Sequence, residues 1–357
     1  MYSLTSLGFG PYFQEQPCVD GAIPARIAGE YKHGYLVWFE CDEGFARLSG
    51  RLMRDLSEEA RPTVGDWVAL KSLPVPDQTA IIEQVLARRS VFTRGAAGRE
   101  TRRQVIAANV DLVFIVTGLD ANYNVHRIQR YVARVRASGA QPLVVLNKAD
   151  VCDAISAHVG EVEASVPGVQ VVATSAILGH GLESISKLLQ PGITAAFVGS
   201  SGAGKSTLIN AFLGEQKLAT GEIRASDGRG RHTTAGRQMV VAPSGGLLID
   251  TPGMRELALF DDEGIDSVFP EIEEMSLRCR FRDCTHQSEP GCAVRQSVDS
   301  GVLPPDRFAH YHKMQAEARN YELRLDERER RRTERAVGKQ RARDLRLIYR
   351  RKEGRLD

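Results

Sequence analysis

The sequence predicts a multidomain α/β protein, and three observations carry that expectation. Apolar strand-like runs alternate with amphipathic helical stretches from about residue 105 to 260. Ahead of them, residues 22–90 hold short β-type runs separated by glycine and proline turns. Behind them, three cysteines and a histidine crowd into residues 279–292. A chain of 357 residues has length for two or three domains and a substantial core. The expected division is an extension at 1–21, a small β-barrel at 22–90, a linker at 91–104, the α/β domain at 105–260, a metal-binding and mostly helical domain at 261–320, and a basic helical tail at 321–357.

Charge and cysteine usage narrow the class. The net charge is only +2, yet residues 321–357 carry 14 Lys/Arg against 8 Asp/Glu, so the rest of the chain is mildly acidic. A basic tail on an acidic body points to a polyanionic partner. Met1 to Pro17 has neither a basic start nor a long apolar core, and no stretch approaches the ~20 apolar residues that span a bilayer. Cys18, Cys41 and Cys152 are scattered, as thiols of a reducing compartment are. A cytoplasmic monomer without a membrane partner is expected.

In the barrel region the β-type runs are Ile27 to Tyr31, Tyr35 to Glu40, Phe45 to Leu52, Asp66 to Lys71 and Ala80 to Leu86. Their turns fall at His33-Gly34, Asp42-Glu43-Gly44 and Val64-Gly65-Asp66. Five short strands in this space fit an OB-fold, an architecture used both for oligonucleotide binding and for docking. Arg88 to Gln104 is basic and contains glycines, which suggests a solvated strap.

Asp111 to Val116 is a near-continuous apolar run of the kind buried on both faces of a parallel sheet. A helix follows, with Val125, Ile128, Val132 and Val135 on one stripe and Gly139 at its end. Further strands are Pro142–Leu146, Val169–Ala173, Ala195–Val198, Gln238–Ala242 and Leu247–Ile249. The alternation predicts a doubly wound sheet.

The segment after Ala195–Val198 carries the chemistry. Gly199-Ser200-Ser201-Gly202-Ala203-Gly204-Lys205-Ser206-Thr207 fits G-x-x-x-x-G-K-[ST] between a strand and a helix ending at Gly214. Glycines let backbone N–H groups turn inward around phosphates at a helix N-terminus that already favours anions. Lys205 is assigned to the outer phosphates as a catalytic charge and Ser206 to Mg²⁺. Asn147-Lys148-Ala149-Asp150 ends another strand. A carboxylate at Asp150 can accept from both the N1–H and the N2–H₂ of guanine, Asn147 can meet the O6/N7 side, and adenine lacks that donor pair. Ser175-Ala176, after the next strand, supports the base. Asp250-Thr251-Pro252-Gly253 ends a third strand, with the aspartate placed to hold Mg²⁺ through water and the Gly253 N–H to sense the γ-phosphate. Between them, Gly228 to Thr234 is a polar switch whose Thr233 or Thr234 can complete the Mg²⁺ shell, with Thr234 the assigned ligand.

The order of these motifs is N-K-x-D, S-A, phosphate loop, threonine switch, D-x-x-G, whereas Ras-like GTPases begin with the phosphate loop. The domain is therefore a circularly permuted P-loop GTPase, and its D-x-x-G leads directly into the C-terminal domain. Met254 stands where Ras-like enzymes place a water-orienting glutamine. His232, in the switch, is the candidate for that role. A downstream L-S-G-G-Q-like signature, which a transporter ATPase needs, is absent from the sequence.

Cys279-x4-Cys284-x-His286-x5-Cys292 offers three thiolates and one imidazole, the closed set of a structural Zn²⁺ site. Arg278, Arg280, Phe281 and Arg282 around it suit an RNA-facing knuckle, and the arginines of 328–355 suit phosphates.

Taken together, these motifs resemble the RsgA/YjeQ family of small-ribosomal-subunit-dependent, circularly permuted GTPases. The resemblance spans nearly the whole chain, with Gly228 to Thr234 and Asp250 to Glu256 especially family-like. It implies a cofactor set of GTP/GDP, Mg²⁺ and one structural Zn²⁺. It also implies hydrolysis stimulated by the small subunit and its rRNA, late maturation of that subunit as the role, and a catalytic His232. The alternative that the residues leave open is a GTP-binding RNA assembly factor, acting elsewhere with little intrinsic hydrolysis.

Overall fold

The structure, a computed structural model, describes residues 3–74, 78–95, 103–214, 238–250, 264–323 and 327. The N-terminal part contains α1 (Pro11–Gln14), β1 (Ile23–Tyr31), β2 (Gly34–Phe39), β3 (Asp42–Leu48), α2 (Gly50–Asp55), β4 (Trp67–Leu70) and β5 (Ala80–Val85). The five strands close on themselves: β1 pairs antiparallel with β2 and β4, β2 with β3, β4 with β5, and β3 runs parallel to β5. Ala25, Ile27, Val37, Phe39, Val68, Leu70 and Ile82 fill the interior, so the alternation of each strand is what closes the OB-like barrel.

Three local expectations need correction. The run from Phe45 to Leu52 is not one strand: β3 stops at Leu48, and the Ser49 hydroxyl accepts from the Leu52 N–H, capping α2. The expected linker is partly a hairpin. β6 (Val91–Gly95) pairs antiparallel with β7 (Arg103–Ala108), and Phe92 and Ile106 are buried. The arginines and glycines of that stretch masked its β-branched residues. The N-terminal extension also has a structural job. Leu7 and Phe13 are buried, and the Phe9 and Phe13 rings lie 4.7 and 5.8 Å from that of Trp67.

The α/β domain continues with β8 (Leu112–Gly118), α3 (Val125–Ala137), β9 (Gln141–Asn147), α4 (Ile155–Ser165), β10 (Gln170–Ala173), α5 (Leu182–Ser186), β11 (Thr194–Val198), α6 (Lys205–Leu213), β12 (Gln238–Val241) and β13 (Leu247–Asp250). Its strand order is β10-β9-β8-β11-β13-β12, parallel except for β12. Successive residues serve opposite faces. Val113, Ile115, Val144 and Val198 pack with α3, while Phe114, Val116, Val145 and Phe197 pack with α6. Both faces are covered, which is why these strands read as unbroken apolar runs.

The barrel is welded to this sheet. Gly29 of β1 pairs with Gln238 of β12, and Gln238 donates to the Tyr31 hydroxyl at 3.1 Å. Arg26, 1% exposed, donates from Nε to the Gly65 carbonyl at 3.3 Å and from its Nη groups to the Asn109 and Leu7 carbonyls. One guanidinium thus joins barrel, α/β domain and N-terminal extension. Arg88 grips the buried Asp66 carboxylate through both oxygens at 2.8 Å.

The C-terminal part holds α7 (Ile265–Val268), α8 (Pro270–Ser276), α9 (Ala293–Asp299) and α10, spanning 305–323. Arg307 on α10 donates to Glu271 at 2.6 Å, to the Val268 carbonyl at 2.7 Å and to the Ser165 carbonyl at 3.0 Å, fixing this part to α4 and α8.

Candidate nucleotide site and metal centre

The phosphate-loop motif lies where the sequence places it, between β11 and α6. Gly199, Gly202 and Gly204 all have positive φ, and a Cβ on Gly204 would come within 2.3 Å of the Asn147 amide nitrogen. The side chain of Lys205 folds back over the loop, donating to the Gly199 and Ser200 carbonyls at 2.7 and 2.5 Å. Ser206 and Thr207 are half-buried in the first turn of α6, and Gly214 ends that helix in the left-handed conformation.

Three loops from the carboxyl ends of neighbouring strands close around this one. Asn147 is 2% exposed, and its amide bonds protein rather than opening towards solvent. Its Nδ2 donates to the Ala203 carbonyl at 3.0 Å, and its Oδ1 accepts from the Thr174 hydroxyl at 3.2 Å and the Ala176 N–H at 3.1 Å. Asn147 therefore clips the phosphate loop to the loop carrying Ser175 and Ala176. Asp150 is exposed, and its Oδ1 accepts from the Ser175 hydroxyl at 2.5 Å, which fixes the carboxylate's orientation. Lys148 and Ala149 connect the two, with Lys148 at a left-handed φ of 66°.

Sequence reasoning missed Asp120. Its carboxylate takes a 2.6 Å hydrogen bond from Lys148 Nζ, and that bond holds Asp120 below the usual carboxylate range. Asn122 approaches the phosphate loop beside Gly202. The signal was available: Gly118-Leu119-Asp120 follows β8 directly, at the same edge of the sheet as the other three motifs. Asp250 closes β13, but Thr251 to Gly253, Met254 and the switch with His232, Thr233 and Thr234 lie outside the described residues.

In the C-terminal part, the ligand atoms of Cys279, Cys284, His286 and Cys292 all lie within 4.8 Å of one another. Cys279 and Cys292 Sγ are 3.9 Å apart, and His286 Nδ1 is 3.6 and 3.4 Å from them. A tetrahedral Zn²⁺ with ordinary bond lengths needs edges of about 3.8 Å between sulfurs and about 3.6 Å between sulfur and nitrogen, so the donor set fits that ion. Burial, reinforced by neighbouring His312, pushes the His286 imidazole below its usual range, towards the neutral form that binds metal. Glu289 shapes the loop. Its two carboxylate oxygens accept from the Thr285 hydroxyl and N–H and from the Gln287 and Ser288 N–H groups, and they hold His286 at a φ of 59°. Among the described residues no helix is long and apolar enough to cross a membrane.

The chain is similar to known proteins. A model of the RsgA GTPase family matches residues 85–260. The chain is 44% identical over 337 residues to the small ribosomal subunit biogenesis GTPase RsgA of Opitutus terrae, covering 91% of this chain and 92% of that one. It is 43% identical over 299 residues to RsgA 2 of Lactiplantibacillus plantarum, covering 84% of each. The crystal structure of YjeQ from Thermotoga maritima superposes with a TM-score of 0.62 at 27% identity, over 83% of this chain and 98% of that one. A structure of YloQ, described as a circularly permuted GTPase, gives the same TM-score of 0.62 at 24% identity, over 84% and 96%. The permuted strand order, the four loops gathered at one edge of the sheet and these likenesses agree: this chain belongs to the RsgA GTPase family.

Proposed function

We propose that the chain hydrolyses GTP to GDP and phosphate while bound to the small ribosomal subunit, and that it assists that subunit's late maturation in the cytoplasm. The observation that carries the GTP reading is the Asn147 clip, which ties a base-side loop with the oriented Asp150 to the Lys205 phosphate loop. Asp150 accepts the paired N–H groups of guanine through the carboxylate that Ser175 orients. Lys148 packs beside the base, held by Asp120. The backbone of Gly199 to Gly204 receives the phosphates, and Lys205 leaves its resting carbonyl partners to neutralise charge that develops on them.

Ser206 and Thr234 are the proposed Mg²⁺ ligands, with Asp250 reaching the ion through water. When bound, that ion would offset the charge of the phosphates. Asp250 and Gly253 begin the stretch leading to α7, and His232 orients the attacking water. Cys279, Cys284, His286 and Cys292 would hold one Zn²⁺, whose role would be to fix the segment between α8 and α9. The relatives' names as small-subunit biogenesis GTPases support the partner.

The test is multiple-turnover GTP hydrolysis by the purified chain alone, with small subunits and with large subunits. Stimulation of ~100-fold or more by small subunits, abolished in His232→Ala, is expected, at the low side of the roughly 10³–10⁵-fold that partner-supplied groups give P-loop GTPases. Equal rates with either subunit or with none contradict the assignment of partner.

A further inference from the structure

The amino-terminal turns of α3 and α10 meet at a cleft of about 380 Å³ on the outer side of the α/β domain. From α3 it is lined by Asn124, which caps that helix, and by His126, Arg127 and Arg130. From α10 it is lined by His310 and Lys313, with Asp306 as the one carboxylate in its wall. Five basic side chains therefore face a single acid. Glu317 offsets part of this by accepting from Arg130 at 3.1 Å. Among the described residues, Arg127 and Lys313 have no ion-pair partner.

Two buried groups here lack a complement. His310 is 5% exposed, and neither ring nitrogen has a hydrogen-bond partner. Arg130 Nε is likewise buried and unpaired. A neutral imidazole always carries one N–H donor, and a guanidinium only donates, so the cleft is rich in donors and short of acceptors. The His126 ring lies 4.1 Å from that of His310. Burial first, and then the positive neighbours His126, Arg130, Lys313 and Arg307, push His310 down to about 3. The surroundings of the ring are electropositive, with two helix dipoles adding to them.

We propose that the α3–α10 cleft receives a backbone phosphate of an RNA strand. A tetrahedral anion supplies the acceptors that the cleft lacks. The charge of the chain favours a polyanion as its carrier, because the sequence following α10 is the arginine-rich stretch 328–355. The site is separate from the nucleotide site. The segment from Asp120, the partner of Lys148, to Asn124, the α3 cap, connects the two. The proposal stands on phosphate recognition and does not depend on which RNA the protein serves.

The test follows the imidazole NMR signals of His126 and His310 in the full-length, zinc-loaded, GDP-bound protein, titrated with inorganic phosphate and with a short oligouridylate. Both rings are expected to shift with the oligonucleotide, at concentrations at least about tenfold below those needed with phosphate. In an Arg127→Ala/Lys313→Ala variant the oligonucleotide affinity should fall about tenfold or more, and its salt dependence should lose a slope of roughly 2. GDP binding and zinc content should stay unchanged and report a folded variant. Rings that do not move, or a variant that binds RNA as the native chain does, overturn the proposal. A response to phosphate at lower concentration than to RNA also overturns it, in favour of a free-anion site.

Discussion

A single carboxylate can set a tight loop by accepting from several N–H groups at once, and Glu289 does this beside the Cys/His cluster. The Thr285 hydroxyl and the N–H groups it gathers hold its carboxyl well down, at about 2, so it stays an acceptor at any working pH. Glu289→Gln keeps one acceptor oxygen but turns an NH₂ towards donors that need an acceptor. Zinc affinity should then fall by about 10–100-fold, as it does when outer-shell partners of metal ligands are lost. Chelator competition measures this, and unchanged affinity would show that the ligands position themselves. The phosphate loop, the Asn147–Asp150 loop and the Cys279/Cys284/His286/Cys292 cluster were legible in the sequence because the residues of each lie close together along the chain. Asp120 and Glu289 were not. Asp120 acts on Lys148, which only the neighbouring strand brings to it. Glu289 acts on backbone groups, which leave no mark on residue type.

At the scale of elements, the contact between barrel and α/β domain is close enough for one methyl group to disturb it. Gly65 has a φ of +93°, and a Cβ there would sit 2.0 Å from the Ala108 carbonyl of β7. Gly65→Ala should cost about 2–4 kcal/mol, from left-handed strain together with the forced shift of β7. Gly50→Ala, at a position with nothing within 4 Å, should stay within about 0.5 kcal/mol. Chemical denaturation of the two variants checks both, and equal midpoints would mean that the barrel is only loosely attached. The parallel strands were readable from apolar runs because both faces are covered. The β6–β7 hairpin and α2 were hidden. The hairpin's identity rests on the pairing of β6 with β7 and that of α2 on one serine cap, and composition reports neither.

The whole molecule turns on the permutation. In a Ras-like order the D-x-x-G segment returns to its own domain. Here β13 ends at Asp250, and the chain next described is α7, which leads through α8 and the Cys/His cluster to α10. Arg136 on α3 donates to the Ser267 carbonyl of α7, so the C-terminal part rests on the same helix whose amino end carries the Asp120–Asn124 segment. The barrel is tied in at the other side through the Gly29–Gln238 pairing, directly after the switch sequence. Any rearrangement of the nucleotide loops has a covalent route into the C-terminal part and a hydrogen-bonded one into the barrel, and subunit affinity should therefore follow the state of the nucleotide.

The most direct measurement is the affinity of the native chain for purified small subunits, by co-sedimentation, with a non-hydrolysable GTP analogue and with GDP. Affinity at least about tenfold higher with the analogue, a coupling of roughly 1.4 kcal/mol, is the expected result. Equal affinity in the two states, or no binding in either, would contradict the account.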